Sequence, residues 1–213
     1  TESYNSPRGF LFIVLLFLIS FSSLGFAGQV KAQDFEIYGF SGDDKQFFWR
    51  YDISSDSWLT TAANVNAAIA PAPDKVKEGG ALTTDGNYIY GLRGNGNNTF
   101  WRYDVFTNTW STMASAPGNV KAGGALTYLD GFIYAFGGDG TTSFWRYEIG
   151  TNSWSARAAV PADIGAGGAL TTDGTLIYGL GGDKTDNFWS YNPTTDTWIT
   201  TLTKPFDVAD NKS

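Results

Sequence analysis

Short runs rich in aromatic and β-branched residues recur along this chain, separated by clusters of Gly, Asp, Asn, Ser and Thr. Such runs, bounded by turn-forming residues, read as strands. Four kinds recur in fixed order. "GGALTT" is led by Gly79, Gly123 or Gly167. "EIYGF", "YIYGL", "FIYAF" or "LIYGL" comes next, then "FWRYD", "FWRYE" or "FWSYN", and a fourth strand starts at a closing Trp. "DGN", "LDG" and "DGT" between the first and second strands are hairpin-turn residues. "SSDS", "TNT", "TNS" and "TTDT" between the third and fourth place Asp or Asn where a side chain can bond its own backbone.

The spacing is rigid. Trp49, Trp101, Trp145 and Trp189 open the copies at intervals of 52, 44 and 44, and each is followed nine residues later by a second Trp. All eight Trp are therefore repeat positions. Tyr38, Tyr90, Tyr134 and Tyr178 each precede the first Trp by 11. One connection varies: Trp58 to Gly79 spans 21 residues, whereas Trp110 to Gly123 and Trp154 to Gly167 span 13. The eight extra residues fall within "LTTAANVNAAIAPAPDKVKEGG", and a deletion of eight residues within 62–73 is expected to leave the fold intact.

Four-stranded units repeated at this period predict an all-β chain, a β-propeller of about four four-stranded blades. Aromatics at fixed positions fill the space between stacked blades, and "GGAL" suits the crowded strand nearest the axis. An aromatic-Gly-Gly after an "IY" strand, a Tyr-Asp and then "TNxW" resembles the kelch repeat over roughly Ile37 to Pro205. The double Gly stands at Gly137–Gly138 and Gly181–Gly182, and is replaced by Ser41–Gly42 and Arg93–Gly94 in the earlier copies. WD40 repeats share the period but use Gly-His, and the chain has no His.

The resemblance implies that the loops joining second to third strands share one face with those leaving the fourth strand, and that this face binds partners. The expected recognition residues there are Asp43, Asp44, Lys45, Arg93, Asn95, Asn97, Asn98, Asp139, Thr141, Thr142, Asp183, Lys184 and Asp186, with Lys75 and Lys77 from the longer connection. The expected ligand is a protein or a glycan.

Arg50, Arg102 and Arg146 stand mid-strand, each followed two residues later on the same face by Asp52, Asp104 or Glu148. The fourth copy has Ser190 and Asn192, so both charges vanish together, which predicts three structural ion pairs.

Composition narrows the chemistry. Net charge is −7, which disfavours a nucleic-acid partner. With no His and no Cys, disulfides, Cys/His zinc sites and His- or Cys-based catalysis are excluded. "SSDSW" and "TTDTW" lack the Gly and Thr of a sialidase Asp-box. "SGDDK" and "GGDKTD" lack EF-hand spacing. No cofactor, metal site or catalytic set is expected, and the chain reads as a non-catalytic binding or scaffolding module. The alternatives are a carbohydrate-binding or carbohydrate-active propeller, and an accessory subunit of a membrane complex.

The N-terminal segment 1–33 is a separate object. One Arg precedes an apolar run from Gly9 to Ala27. It is expected to form a hydrophobic helix, either a cleaved export signal or a retained anchor in the membrane. Either places residues 34–205, and a tail at 206–213, in the cell envelope or outside the cell. Residues 28–33 ("GQVKAQ") are the expected inner strand of the first blade. Four blades are few for a closed ring, so the open ends are expected to pair or to belong to a longer propeller.

Overall fold

A computed structural model describes residues 12–16, 36–60, 69–183 and 185–200. They form four antiparallel sheets of four strands each. The first contains β1 (Phe12–Leu16), β2 (Glu36–Phe40), β3 (Phe48–Asp52) and β4 (Ser57–Thr60). The second contains β5 (Ala81–Thr84), β6 (Tyr88–Leu92), β7 (Phe100–Asp104) and β8 (Thr109–Thr112). The third contains β9 (Ala125–Leu129), β10 (Phe132–Phe136), β11 (Phe144–Glu148) and β12 (Ser153–Ala156). The fourth contains β13 (Ala169–Thr172), β14 (Ile177–Leu180), β15 (Phe188–Asn192) and β16 (Thr197–Ile199). Each sheet is a meander, so each is one sequence repeat, and the arrangement is propeller-like. No helix among the described residues is long and apolar enough to cross a membrane.

Period-2 alternation sorts the side chains of the third strand onto two faces. In β7, Trp101 and Tyr103 face the preceding sheet and Phe100 faces the following one. Three apolar clusters result, one at each junction. Tyr38, Phe40 and Phe48 pack with Trp101, Tyr103 and Trp110; Tyr90, Leu92 and Phe100 pack with Trp145, Tyr147 and Trp154; Tyr134, Phe136 and Phe144 pack with Trp189, Tyr191 and Trp198. The ring geometry repeats. Phe48, Phe100 and Phe144 meet the next sheet's Tyr edge-on with centroids 4.9, 4.9 and 4.8 Å apart. Edge-to-face pairs of this kind add about 0.5–1.5 kcal/mol each beyond area burial.

Size is matched across each junction. Phe40 lies against Gly91, where a Cβ would come 3.0 Å from its ring, and Phe136 lies against Gly179, where a Cβ would come within 2.8 Å. At the middle junction the pair is the smaller Leu92 with the larger Ala135. Summed volume is kept, as close packing requires.

Each junction is also latched by polar groups. Asn108, Asn152 and Asp196 occupy the turn before the fourth strand with φ of 55°, 50° and 54°. That left-handed backbone suits Asn and Asp. Their Oδ1 atoms accept the hydroxyl of Tyr103, Tyr147 or Tyr191 at 2.7–2.8 Å. The same atoms accept the N–H of Ala70, Ala114 or Ala158 of the preceding repeat at 2.7–2.9 Å. The carbonyls of those three Ala accept Nε1–H of Trp110, Trp154 and Trp198 at 3.3, 2.8 and 2.9 Å. The closing Trp and the turn Asx of one repeat thus satisfy both backbone groups of one Ala in the repeat before it.

β1, β5, β9 and β13 lie side by side in that order. The connections leading into these strands approach so closely that a Cβ on Gly79 would meet the Lys121 carbonyl oxygen at 1.9 Å, and one on Gly123 the Gly165 carbonyl oxygen at 2.1 Å. A Cβ on Gly167 would meet nothing within 4 Å. β13 is largely exposed where β5 and β9 are buried. No comparable contact joins β13 back to β1 among the described residues. Among the described residues the four sheets form an open arc.

Three expectations are revised. The apolar run 9–27 was expected to be a helix; its described part, Phe12–Leu16, is instead a strand paired antiparallel with β2, Phe12 opposite Phe40 and Leu16 opposite Glu36. The sequence FIVLL is rich in strand-favouring types, and its continuous apolarity suits an innermost strand with β2 on one side and β5 beyond. That strand fills the place expected for residues 28–33, which lie outside the described residues, as do 1–11, 17–35 and the tail 206–213. A deletion of eight consecutive residues within 62–73 would reach the core: Ile69 and Ala72 are buried and Ala70 is a latch residue equivalent to Ala114. The eight extra residues therefore reduce to 61–68, outside the described residues.

Candidate functional site

The loops joining second to third strands meet the connections leaving the fourth strand through backbone bridges that repeat with the sheets: Lys45 with Val76, Asn97 with Val120, and Thr141 with Ile164. Val76, Val120 and Ile164 are fully buried and pin these loops to the core. The resulting surface is held by its backbone.

The expected recognition residues other than Lys184 lie on this surface, and many of their polar groups hold the loops themselves. Asp43, Asp44, Asn95, Asp139 and Asp183 have φ of 52°, 57°, 57°, 59° and 48°, so a short Asx is placed where most side chains are strained. Asn97 Oδ1 accepts the Thr99 N–H at 2.8 Å, and Asn98 Nδ2 donates to the Ala116 carbonyl at 3.1 Å. Thr141 Oγ1 donates to the Gly138 carbonyl at 2.8 Å, and Asp183 Oδ1 accepts the Ala166 N–H at 2.9 Å. Thr142 is represented by its carbonyl, which accepts the Val160 N–H at 3.0 Å. Arg93 pairs with Asp74 at 3.0 Å and donates Nε–H to the Lys75 carbonyl. Lys75 pairs with Asp44 at 3.3 Å. Lys45, Asp186 and Thr185 are exposed and Lys77 is half-buried. Lys184 lies outside the described residues.

Two residues of this face were missed. Lys121 forms an ion pair with Asp139 and sits where the shorter connection replaces the longer one. Phe47 is 42% exposed at the end of its loop, where the other copies carry Thr99, Ser143 and Asn187. Its signal was the loss of a polar residue at one repeat position. The face therefore combines paired charges of both signs, fixed Asx side chains and one accessible ring.

The expected ion pairs within the third strands are replaced by others. Arg50 Nε lies 3.2 Å from Glu36 Oε1, at ion-pair distance without hydrogen-bond alignment, and Tyr38 donates to the other carboxylate oxygen at 2.6 Å. Arg102 stacks 4.3 Å above the Tyr88 ring and Arg146 stacks 4.2 Å above the Phe132 ring. Asp52 and Asp104 instead accept N–H groups of the following turn, from Ser54 and Ser55 and from Phe106 and Thr107. Asn192 does the same for Thr194 at 2.9 Å. No Arg50–Asp52, Arg102–Asp104 or Arg146–Glu148 ion pair forms among the described residues. A carboxylate at a strand end meets unpaired turn N–H groups directly, while each Arg turns to the residue opposite that acid on the neighbouring strand.

Several of the shifted groups belong to the polar latches. Burial pushes the Tyr103 and Tyr191 hydroxyls up to about 12. At Asp196, burial works against the charged form. The Ala158 N–H, the Tyr191 hydroxyl and the Arg157 guanidinium outweigh it and hold the carboxyl below its ordinary value. A folded value below the unfolded ~3.9 stabilises the fold above about pH 4, and that contribution is lost as pH falls through the folded value. Asp196→Asn keeps the acceptor oxygen, as Asn108 and Asn152 do in their own repeats. It is expected to be slightly less stable at neutral pH, without Arg157's partner, and to lose stability less steeply below about pH 4. Acid titrations followed by circular dichroism check this; identical acid limbs would contradict it.

No group of three or more acidic residues that could hold a metal ion occurs among the described residues. No family model matches the chain, and no curated protein matches it. Among solved structures it is similar to one described as "Structure of YjhT", with a TM-score of 0.54 and 18% identity over 61% of this chain. The match spans 52% of that protein, about half its length, and at this identity the likeness is one of fold.

Proposed function

We propose that the chain is a kelch-like propeller segment, exported to the cell envelope or surface, that acts as a non-catalytic binding or scaffolding module through its loop face. The observation that supports this most is the repeated backbone bridging of the loops to the connections beneath them. It presents Lys75, Lys121, Asp139 and Phe47 on a preorganised surface, which reduces the ordering cost of binding. Ion-paired Lys and Asp on turn positions suit a recognition surface that makes several polar contacts. An acid or base for catalysis would need a partner set held around a cleft.

A carbohydrate ligand is the second reading, favoured by Phe47. One exposed ring among Asx and Lys side chains offers an apolar platform for a sugar face with polar groups beside it for its hydroxyls. Binding of the full chain to a glycan panel and to candidate surface proteins tests both. Lys121→Glu and Phe47→Ala are expected to weaken binding at least tenfold with the melting temperature unchanged, since both side chains are about half exposed. Binding indifferent to loop-face substitutions would contradict the proposal, as would conversion of a bound ligand to product.

A further inference from the structure

The two ends of the arc carry the two halves of the junction that repeats inside it. At each internal junction one sheet presents Tyr, Phe/Leu and Phe, and the next covers them with Trp, Tyr and Trp. The last sheet presents the first half again as Tyr178, Leu180 and Phe188. Tyr38, Tyr90 and Tyr134 are at most 2% exposed, and so are Phe40, Leu92 and Phe136, yet Leu180 is 41% exposed and Tyr178 and Phe188 are only half-buried. The first sheet presents the second half as Trp49, Tyr51 and Trp58. Trp58 is 52% exposed, and Trp49 and Tyr51 are less buried than Trp101 and Tyr103.

The polar latch is poised as well. Asp56 holds the left-handed turn with φ of 50° and accepts the Tyr51 hydroxyl, as Asn108 does for Tyr103. Trp58 Nε1–H and the second acceptor site of Asp56 are the groups that at other junctions bind an Ala of the preceding repeat. Gly39 stands at the repeat position of Gly91 and Gly179, which receive a Phe ring, and of Ala135, which lies with Leu92.

We propose that a second copy of this chain docks its first sheet onto the last sheet of the first, reproducing the internal junction between molecules. The contact is head-to-tail: Trp58 of one copy meets the Tyr178–Leu180–Phe188 face of another. Such a heterologous contact closes into a ring or propagates, according to the curvature of the arc. Two copies that close use both ends of each. The loop faces of the copies then fall on one continuous surface, as those of successive sheets do within a chain.

Sedimentation of the full chain, alone and as paired variants, tests this. Wild type is expected to be a dimer or longer oligomer at micromolar concentration. Trp58→Glu alone and Leu180→Glu alone are each expected to be monomeric, because every contact in either sample then contains the altered half. Both positions are exposed, so both variants are expected to keep the circular dichroism of wild type. An equimolar mixture of the two is expected to form a one-to-one heterodimer, since Leu180 of the first variant meets Trp58 of the second. A monomeric wild type would overturn the proposal whatever the variants do. So would variants that remain oligomeric, or a mixture that stays monomeric, which would indicate a like-with-like contact.

Discussion

Gly123→Ala is expected to abolish stable folding, whereas Gly167→Ala, at the equivalent position of the next repeat, is expected to cost only about 1–2 kcal/mol. Both glycines have left-handed backbone, with φ of 88° and 86°, so both substitutions pay the same local conformational cost of about 1–2 kcal/mol. They differ in what the new methyl meets. At Gly123 it lies 2.1 Å from the Gly165 carbonyl oxygen, a backbone atom held from its own sheet, and at Gly167 it meets nothing within 4 Å. Relief at Gly123 requires prising the inner strands apart, which also opens the cluster beneath them. A loss above about 4–5 kcal/mol falls in the range seen only for such specific failures. Gly79→Ala, at 1.9 Å from the Lys121 carbonyl oxygen, is expected to behave like Gly123→Ala. Soluble yield and urea midpoints of the three variants check the order; equal losses at Gly123 and Gly167 would mean that the connections leading into the inner strands are not in backbone contact.

Trp154→Ala is expected to destabilise by about 3–5 kcal/mol, the usual range for removing a packed Trp. Its ring meets Phe100 at 5.0 Å and Tyr147 at 5.1 Å, and its Nε1–H bonds the Ala114 carbonyl at 2.8 Å. Trp154→Phe keeps most of the ring and leaves the carbonyl without its donor, so a smaller loss of about 1–2 kcal/mol is expected. At about 2–4 °C per kcal/mol for a chain of this size, the Ala variant is expected to melt roughly 10 °C below wild type. Trp58→Ala, in the Leu180→Glu background where pairing is blocked, removes a ring with 52% exposure and is expected to cost less than about 1 kcal/mol. Matching losses at Trp58 and Trp154 would contradict the assignment of Trp58 to an uncovered end.

Much of this fold was legible in the sequence because the repeat is dictated by contacts that must recur. The constant spacings from Tyr to Trp and from Trp to Trp reflect two hairpins of fixed length in every sheet, and the two faces of the third strand follow from strand alternation. The Gly of "GGALTT" was readable as close approach near the axis, and at Gly79 and Gly123 a Cβ would collide with the backbone of the next repeat. What misled was the partner of a side chain. Arg50, Arg102 and Arg146 do covary within the chain, but with Glu36, Tyr88 and Phe132 across the strand pair; in the fourth repeat Leu176 stands there and the Arg becomes Ser190. Same-strand spacing could not reveal a diagonal neighbour on another strand. The first inner strand was equally hidden, since an apolar run such as Phe12–Leu16 satisfies both a helix and a strand buried on two sides. On the loop face the residue types were legible, but the internal bonds of Asn97, Asn98, Thr141 and Asp183 were not, because loop backbone geometry decides which polar groups remain for a ligand.

One junction occurs three times among the described residues and its two halves stand exposed on the first and last sheets, an arrangement that hydrogen exchange of the indole N–H groups tests most directly. In the Leu180→Glu variant, the indole protons of Trp110, Trp154 and Trp198 are expected to exchange slowly, each being bonded to an Ala carbonyl of the preceding repeat. That of Trp58 is expected to exchange nearly as fast as a free indole, and to become protected in wild type as copies associate. Fast exchange at Trp110, Trp154 and Trp198, or protection of Trp58 in the monomeric variant, would contradict it.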